Sequence, residues 1–124
     1  VAYRRRSVPL AWTWVKGVKG HSTCQTQMDL LKAIQAWFPA DCRVSLVGDC
    51  EFGRGELITY LRQIGWDYAL RQVGSQQLWW QGNGRWQRVD SLLDEPGCRW
   101  LGWVSLTRTH KHYTHLVAFW GKGL

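Results

Sequence analysis

The sequence predicts an α/β fold that continues into a β-rich region, and three observations support this class. Residues 1–15 alternate apolar and polar side chains, which predicts an antiparallel hairpin. Residues 23–73 then show helix, strand, helix and strand patterns in turn. From Gly74 onward, short segments with interleaved Trp and Arg are separated by turn residues, as in antiparallel sheets. We therefore predict two regions, 1–73 and 74–124.

The hairpin is predicted to pair a strand at Val1–Arg5 with a strand at Val8–Val15. Alternate residues of the second segment are apolar, and Pro9 lies near its start, where a strand tolerates proline. Arg4-Arg5-Arg6 at the bend form either a solvated loop or a contact for phosphate.

Two helices are predicted in the first region. Ser22 followed by Gln25 is a capping-box pattern, so a helix is expected over Thr23–Phe38, ended by Pro39. A second apolar stripe with helical spacing ends at Gly65, a residue typical of helix C-termini. Its members are Leu57, Ile58, Leu61 and Ile64.

Strands are predicted at Val44–Val47 and Tyr68–Val73, paired in parallel through the helix between them. Gly48 and Asp49 follow the first of these strands directly. Open α/β sheets present functional groups at the carboxyl ends of their strands, so Asp49 is a candidate functional carboxylate. The alternative is a carboxylate that only caps a turn.

The β-rich region predicts a hairpin of Leu78–Trp80 and Arg85–Val89 around a turn at Gln81-Gly82-Asn83-Gly84. Further strands are expected at Arg99–Thr107 and His115–Trp120. Interleaved Trp and Arg suit a nucleic-acid face, because rings stack on bases and guanidinium groups contact phosphates. The alternative is that the Trp side chains fill the core of this region.

Three histidines, His110, His112 and His115, are expected in a loop between the last two strands. A zinc site is the alternative. In a strand, however, His115 would point away from the other two, and no Cys or carboxylate nearby completes a ligand set.

The charge of the chain favours a polyanionic partner. Its 16 Lys and Arg residues outnumber 9 Asp and Glu, which gives a net charge of +7. Eleven of the sixteen cations are Arg, whose planar fork suits phosphate. The ten Trp residues supply large amphipathic rings for a core or a contact surface. The alternative is a protein that is merely basic.

Other features concern location and completeness. The four cysteines lack C-x-x-C spacing and no signal peptide is present, which predicts free thiols in a cytoplasmic protein. No apolar run is long enough to span a membrane. The chain begins at Val1 rather than Met, and both ends lie in strand-like sequence, so we expect a piece of a larger protein.

Several short motifs occur in one order along most of the chain: Pro9-Leu10-Ala11-Trp12, Lys19-Gly20-His21-Ser22, Leu46-Val47-Gly48-Asp49 with Phe52-Gly53, Gly65-Trp66-Asp67-Tyr68-Ala69-Leu70-Arg71, Trp86, and Leu116-Val117-Ala118-Phe119-Trp120. In this order they resemble the DDE transposases of bacterial insertion sequences. The branch they are most similar to has a ribonuclease-H-like catalytic domain interrupted by a β-strand insertion. The resemblance implies a partial ribonuclease-H-like mixed sheet over 1–73 and the β-strand insertion over 74–124.

The resemblance implies metal-dependent phosphoryl transfer on DNA at transposon ends. In that family three carboxylates hold two divalent ions, Mg²⁺ or Mn²⁺, which activate the nucleophile and stabilise the leaving oxygen. Asp49 matches the second acid. The first is expected upstream of Val1 and the third, a Glu, downstream of Leu124, so this chain alone is expected to be inactive. Cys50 departs from the family pattern, which usually has a basic residue there. A homodimer is possible for the full-length protein.

The resemblance also suggests which residues contact DNA. Arg71, Arg85 and Arg88 are candidates for phosphate contacts, and Trp79, Trp80 or Trp86 could stack on an unpaired base. Two other functions stay open at this point. One is a Trp-rich basic nucleic-acid-binding module without catalysis, and the other is a small β-rich binder of carbohydrate or protein.

Overall fold

Across residues 2–17, 21–80, 84–106 and 112–121, which the computed structural model describes, the chain has a mixed α/β architecture. It contains two α-helices, a two-stranded parallel sheet and a four-stranded antiparallel sheet within these residues. A separate short hairpin precedes them. The predicted α/β class and the β-rich second region are confirmed.

The N-terminal hairpin is much shorter than expected. It pairs β1 (Ala2–Tyr3) with β2 (Arg6–Ser7), and Arg4 and Arg5 between them have φ angles of 48° and 64°. A two-residue type I′ turn requires such positive values. The predicted strand Val8–Val15 is wrong, because this segment has no regular secondary structure. The apolar alternation is present, but no neighbouring strand is hydrogen-bonded to it within the described residues.

Helix α1 covers Cys24–Gln35. Thr23 is its N-cap, since its hydroxyl accepts a hydrogen bond from the Thr26 backbone N–H at 3.1 Å. The prediction that Ser22 caps the helix is therefore wrong. The helix also ends before the predicted Phe38, because the backbone N–H groups of Trp37 and Phe38 form i→i−3 hydrogen bonds ahead of the proline.

The parallel pair is formed by β3 (Ser45–Gly48) and β4 (Asp67–Leu70), joined through α2 (Gly55–Gln63). This confirms the predicted parallel pairing. Gly65 has a φ of 74° just past α2, as predicted for a helix C-terminus, and the next N–H returns to the Leu61 carbonyl at 3.0 Å. β4 is shorter than predicted because its partner strand ends at Gly48.

The four-stranded sheet consists of β5 (Gln77–Trp80), β6 (Arg85–Arg88), β7 (Gly97–Leu106) and β8 (His112–Trp120). The strands are antiparallel in the order β6-β5-β7-β8, which confirms the predicted hairpin and the two later strands. The predicted turn residues 81–83, Thr107 and His110 lie outside the described residues. His112 lies in β8, so its assignment to a loop is wrong. His115 also lies in β8, in agreement with the predicted strand His115–Trp120 and not with the predicted loop.

Helix α2 packs between α1 and the four-stranded sheet. Leu57 and Leu61 of α2 are fully buried with Leu31 of α1, while Ile58 is buried with the sheet. The cluster around Ile58 contains the sheet residues Leu78, Leu101, Val104, Leu106 and Leu116, together with Leu92, which lies between β6 and β7. We call the sheet face that meets α2 the inner face. The predicted boundary at residue 73 falls between β4 and β5, and α2 shares a core with strands on the other side of it.

No helix in the described part of the chain combines the length and apolar character needed to span a membrane.

Candidate functional site

Asp49 lies immediately after β3 and is exposed to solvent. One of its carboxylate oxygens accepts a hydrogen bond from the Glu51 backbone N–H at 3.0 Å, so Asp49 caps the short 3-10 turn Cys50–Phe52. A carboxylate that accepts a backbone N–H bond at a helical N-terminus has a fixed orientation. The capping role is therefore confirmed, and a role as metal ligand stays a prediction.

Arg71 lies beside Asp49 at the same edge of the parallel sheet. The β3–β4 register pairs Gly48 with Leu70, so Asp49 and Arg71 each follow a paired residue. The Arg71 backbone N–H donates to the Gly48 carbonyl at 3.1 Å. A Cβ at Gly53 would collide with the Arg71 carbonyl oxygen, so glycine permits the turn after Asp49 to approach β4. This edge thus places an exposed carboxylate next to an exposed cation.

A hydrogen-bond network fixes the turn after Asp49 to the start of α1. Glu51 accepts from the backbone N–H of Ser22 at 2.8 Å and from its hydroxyl at 2.6 Å. The buried Gln27 side chain donates to the Ser22 hydroxyl at 2.9 Å and to the Glu51 carbonyl at 3.0 Å. Hydrogen bonds from Ser22 hold the pKa of Glu51 below its ordinary value. The sequence suggested only a local cap for Ser22 and gave no signal for this contact across 29 residues.

The described residues do not form a complete metal site. No group of three or more His, Cys, Asp or Glu side chains within them is close enough together to hold a metal ion. Asp49 contributes one carboxylate, and Glu51 is engaged with Ser22. The residues described here therefore do not by themselves fit the Mg²⁺ or Mn²⁺ pair that the family resemblance implies.

The two predicted phosphate contacts on β6 have different surroundings. Arg88 forms a salt bridge with Asp90 at 2.6 Å, and this contact holds the pKa of the Asp90 carboxyl below its ordinary value. A phosphate at Arg88 would have to compete with that carboxylate. Arg85 lies at the other end of the strand and is exposed.

The three Trp residues predicted to contact DNA lie on two faces of the sheet. Trp79 and Trp86 are cross-strand partners, so their side chains share a face. Trp80 lies on the opposite, inner face, where it packs against the core and carries the Arg99 guanidinium 4.6 Å from its ring centre. Trp80 therefore cannot act with Trp79 and Trp86 on one surface.

The face turned away from α2, which we call the outer face, carries aromatic residues that the sequence analysis did not select. Trp100 and Trp103 are 63% and 54% exposed, and both rings contact His115, with centroids 5.2 Å and 4.0 Å from it. The cross-strand register assigns the following side chains to this face: Trp79, Trp86, Trp100, Trp103, Tyr113, His115, Val117 and Phe119. The sequence signal for this arrangement is Gly102, because a glycine inside a strand often marks a β-bulge.

An open groove of about 1200 Å³ connects the sheet edge that carries Arg71 with the outer face of the four-stranded sheet. It lies between β4 and β8 and is lined by residues of both. Arg71 from the polar edge lines this groove together with Trp100, His115 and Phe119 from the outer face. The structure thus joins one of the predicted phosphate contacts to aromatic residues that the sequence did not indicate.

Comparison with protein-family models, with curated proteins and with solved structures gives no match for this chain. A functional assignment must therefore come from the residues and their geometry.

Proposed function

We propose that this chain is the central part of the ribonuclease-H-like catalytic domain of a DNA transposase of an insertion sequence. The supporting observation is the exposed carboxylate of Asp49 at the carboxyl end of a parallel strand, beside Arg71 at the same edge. Ligands of open α/β sheets bind at such edges. In the family that the sequence resembles, this position holds the second of three metal-binding acids.

Asp49 is proposed to be one ligand for Mg²⁺ or Mn²⁺ in the complete protein. The other two acids are proposed to come from chain outside this segment, an Asp on an upstream strand and a Glu on a downstream helix. We propose that phosphoryl transfer requires that complete protein as a homodimer and that this segment alone does not cleave DNA. Oxygen ligands of this kind suit hard divalent ions.

Arg71 is proposed to contact a DNA phosphate next to Asp49. Its guanidinium is a permanent cation with a planar fork that matches phosphate oxygens. The neighbouring backbone is fixed by the contact between Arg71 and Gly48, so the arginine is anchored at the edge where the carboxylate lies. A cation in that place offsets the repulsion between Asp49 and the anionic DNA backbone.

The test uses the complete reading frame that encodes this segment. The frame is expected to supply the upstream Asp and the downstream Glu, and the purified protein is expected to cleave transposon-end DNA only with Mg²⁺ or Mn²⁺. Asp49→Asn is expected to abolish cleavage and leave DNA binding in place. Asp41→Asn, at another exposed acid, is the matched control and is expected to be active. Full cleavage by the Asp49→Asn protein contradicts the proposal.

The second candidate function is nucleic-acid binding without catalysis, and the exposed Trp residues of the outer face favour it. Such a module needs no metal. Its binding is expected to weaken with salt, to be unchanged by EDTA and to survive Asp49→Ala. A reading frame without the two further acids, combined with this binding behaviour, would favour the module over the transposase.

A further inference from the structure

The outer face of the four-stranded sheet is an aromatic surface without a covering element among the described residues. Phe119 is 70% exposed, and Trp100 and Trp103 are each more than half exposed. Large contiguous apolar patches on a protein surface mark sites of contact with a partner or ligand, or sites of aggregation. The chemistry of the patch decides which partner it fits.

A β-bulge builds this surface. Trp100 pairs with Val117 and Trp103 with His115, so Leu101 is an extra residue on β7. Residues three apart on a regular strand point to opposite faces, but the bulge brings both Trp rings to the outer face. Gly102 has a φ of 69°, a backbone conformation that suits glycine. The two rings then flank His115 as a paired unit.

The charge around this surface is positive. Strands β5 to β8 contain no acidic residue, and the register places Arg88 on the outer face. Arg85 and Arg99 lie on the inner face with Trp80 and do not contribute to this surface. Arg62 of α2 reaches Trp103, where its guanidinium lies 4.8 Å from the ring centre. That side chain is also held by a 2.8 Å hydrogen bond to the Tyr113 carbonyl. An arginine stacked on an exposed ring presents its remaining N–H groups at the rim of the surface.

Arg71 extends the positive charge into the groove beside β8, which Trp100 and His115 also line. The one acidic residue among the groove's described lining residues, Asp90, is paired with Arg88. Flat aromatic rings bordered by arginines match a ligand that has flat rings and anionic links between them. Unpaired nucleic acid has both features, whereas duplex DNA hides its base faces.

We propose that the outer face, centred on Trp100, Trp103 and His115, binds single-stranded nucleic acid by stacking unpaired bases on the two Trp rings. Arg62 and Arg71 contact the phosphates on either side. This inference shares the nucleic-acid partner of the proposed function, but it uses neither Asp49 nor a metal ion. A second copy of the chain is the competing occupant, and the positive charge of +7 on each copy opposes that association.

The experiment measures the affinity of the purified chain for a fluorescent oligo(dT) of about 12 nucleotides and for a duplex of the same length. The test variant is Trp100→Leu with Trp103→Leu. We expect its affinity for oligo(dT) to fall roughly 10-fold or more, because stacking on each ring is lost. The control is Trp12→Leu with Trp14→Leu, which removes two rings that are 76% and 94% exposed outside the sheet.

Circular dichroism and thermal unfolding verify that both variants fold, and Trp100→Leu alone serves as the milder variant if the double variant does not. Unchanged oligo(dT) affinity in the folded variants overturns the proposal. Stronger binding to the duplex than to oligo(dT) also overturns the proposal. A third contradictory outcome is a wild-type chain that sediments as a dimer while the Trp variant sediments as a monomer. Loss of cleavage in Asp49→Asn with unchanged oligo(dT) binding in the Trp variants would reject this inference and leave the proposed function standing.

Discussion

The inner and outer faces of the four-stranded sheet differ in both side chains and exposure. On the inner face, Leu78, Val104 and Leu106 are almost completely buried with Ile58 of α2. On the outer face, Trp100 and Trp103 keep more than half of their surface in water. Burial of apolar area stabilises a fold, so the inner face contributes most of the sheet's stability. The rings on the outer face contribute less and are free to contact a ligand.

The largest effect expected from this comparison concerns the inner face. Leu78→Ala removes a side chain with 0% exposure and leaves a cavity under α2. We expect the free energy of unfolding to fall by about 2–5 kcal/mol in urea denaturation. Trp103→Leu on the outer face is the variant for comparison, and we expect it to lower the free energy of unfolding by about 1 kcal/mol or less. Equal losses in the two variants would contradict the assignment of stability to the inner face.

The next effect concerns the bulge that turns both Trp rings outward. Gly102→Ala places a Cβ on a residue whose φ is 69°, so we expect a loss of about 1–2 kcal/mol in unfolding free energy. We expect the bulge to shift along β7 to relieve this strain. Because the two Trp rings then move relative to β8, the NOE contacts from His115 to these rings are expected to weaken. Gly97→Ala, where a Cβ meets no neighbouring atom, is the control. A Gly102→Ala protein with full stability and unchanged contacts would show that the bulge does not depend on glycine.

A smaller effect is expected at Ser105, which lies in β7 between Trp79 and Tyr113 in the cross-strand register. Its hydroxyl is buried and has no hydrogen-bond partner among the described residues. Ser105→Ala removes an unsatisfied polar group, so we expect the unfolding free energy to stay the same or to rise by up to about 1 kcal/mol. Thermal unfolding measures this change. A clear loss of stability would reveal a partner for the hydroxyl.

The smallest effect is expected at Glu51, which lies in the turn after β3 and not in the four-stranded sheet. The folded state lowers the pKa of Glu51, so its charged form stabilises the fold above the ordinary glutamate pKa of about 4.3. This contribution is lost as the pH falls through the lower folded pKa. We therefore expect the stability difference between the chain and Glu51→Gln to shrink under acid in pH-dependent urea denaturation. A difference that does not change with pH would contradict the Ser22 contact.

The sequence predicted the elements whose signals are local. The apolar stripe and Gly65 defined α2, and the order of helices and strands predicted the parallel pairing of β3 with β4. The strand at Val8–Val15 failed because alternation reports a pleated surface but not whether a neighbour is present to complete the hydrogen bonds. Trp14 in that segment is almost fully exposed.

The candidate site was predictable only in part, because local sequence patterns do not report contacts between distant segments. Asp49 was expected just after its strand, whereas Arg71 was expected inside the strand Tyr68–Val73. Arg71 lies at the same edge as Asp49 because β4 ends at Leu70. The Trp100, Trp103 and His115 cluster depends on a one-residue bulge, and a regular strand would have placed the two Trp rings on opposite faces. The Glu51–Ser22 contact joins distant segments, and no pattern in either segment encodes it.

The most direct test of the difference between the two faces is an NMR titration of the ¹⁵N-Trp-labelled chain with oligo(dT). The account predicts that the indole N–H signals of Trp100 and Trp103 shift with increasing oligonucleotide. The signal of Trp80 on the inner face is expected to stay in place, as is that of Trp66, which packs against Phe38. Shifts at Trp80 and Trp66 with unchanged Trp100 and Trp103 signals would contradict the account.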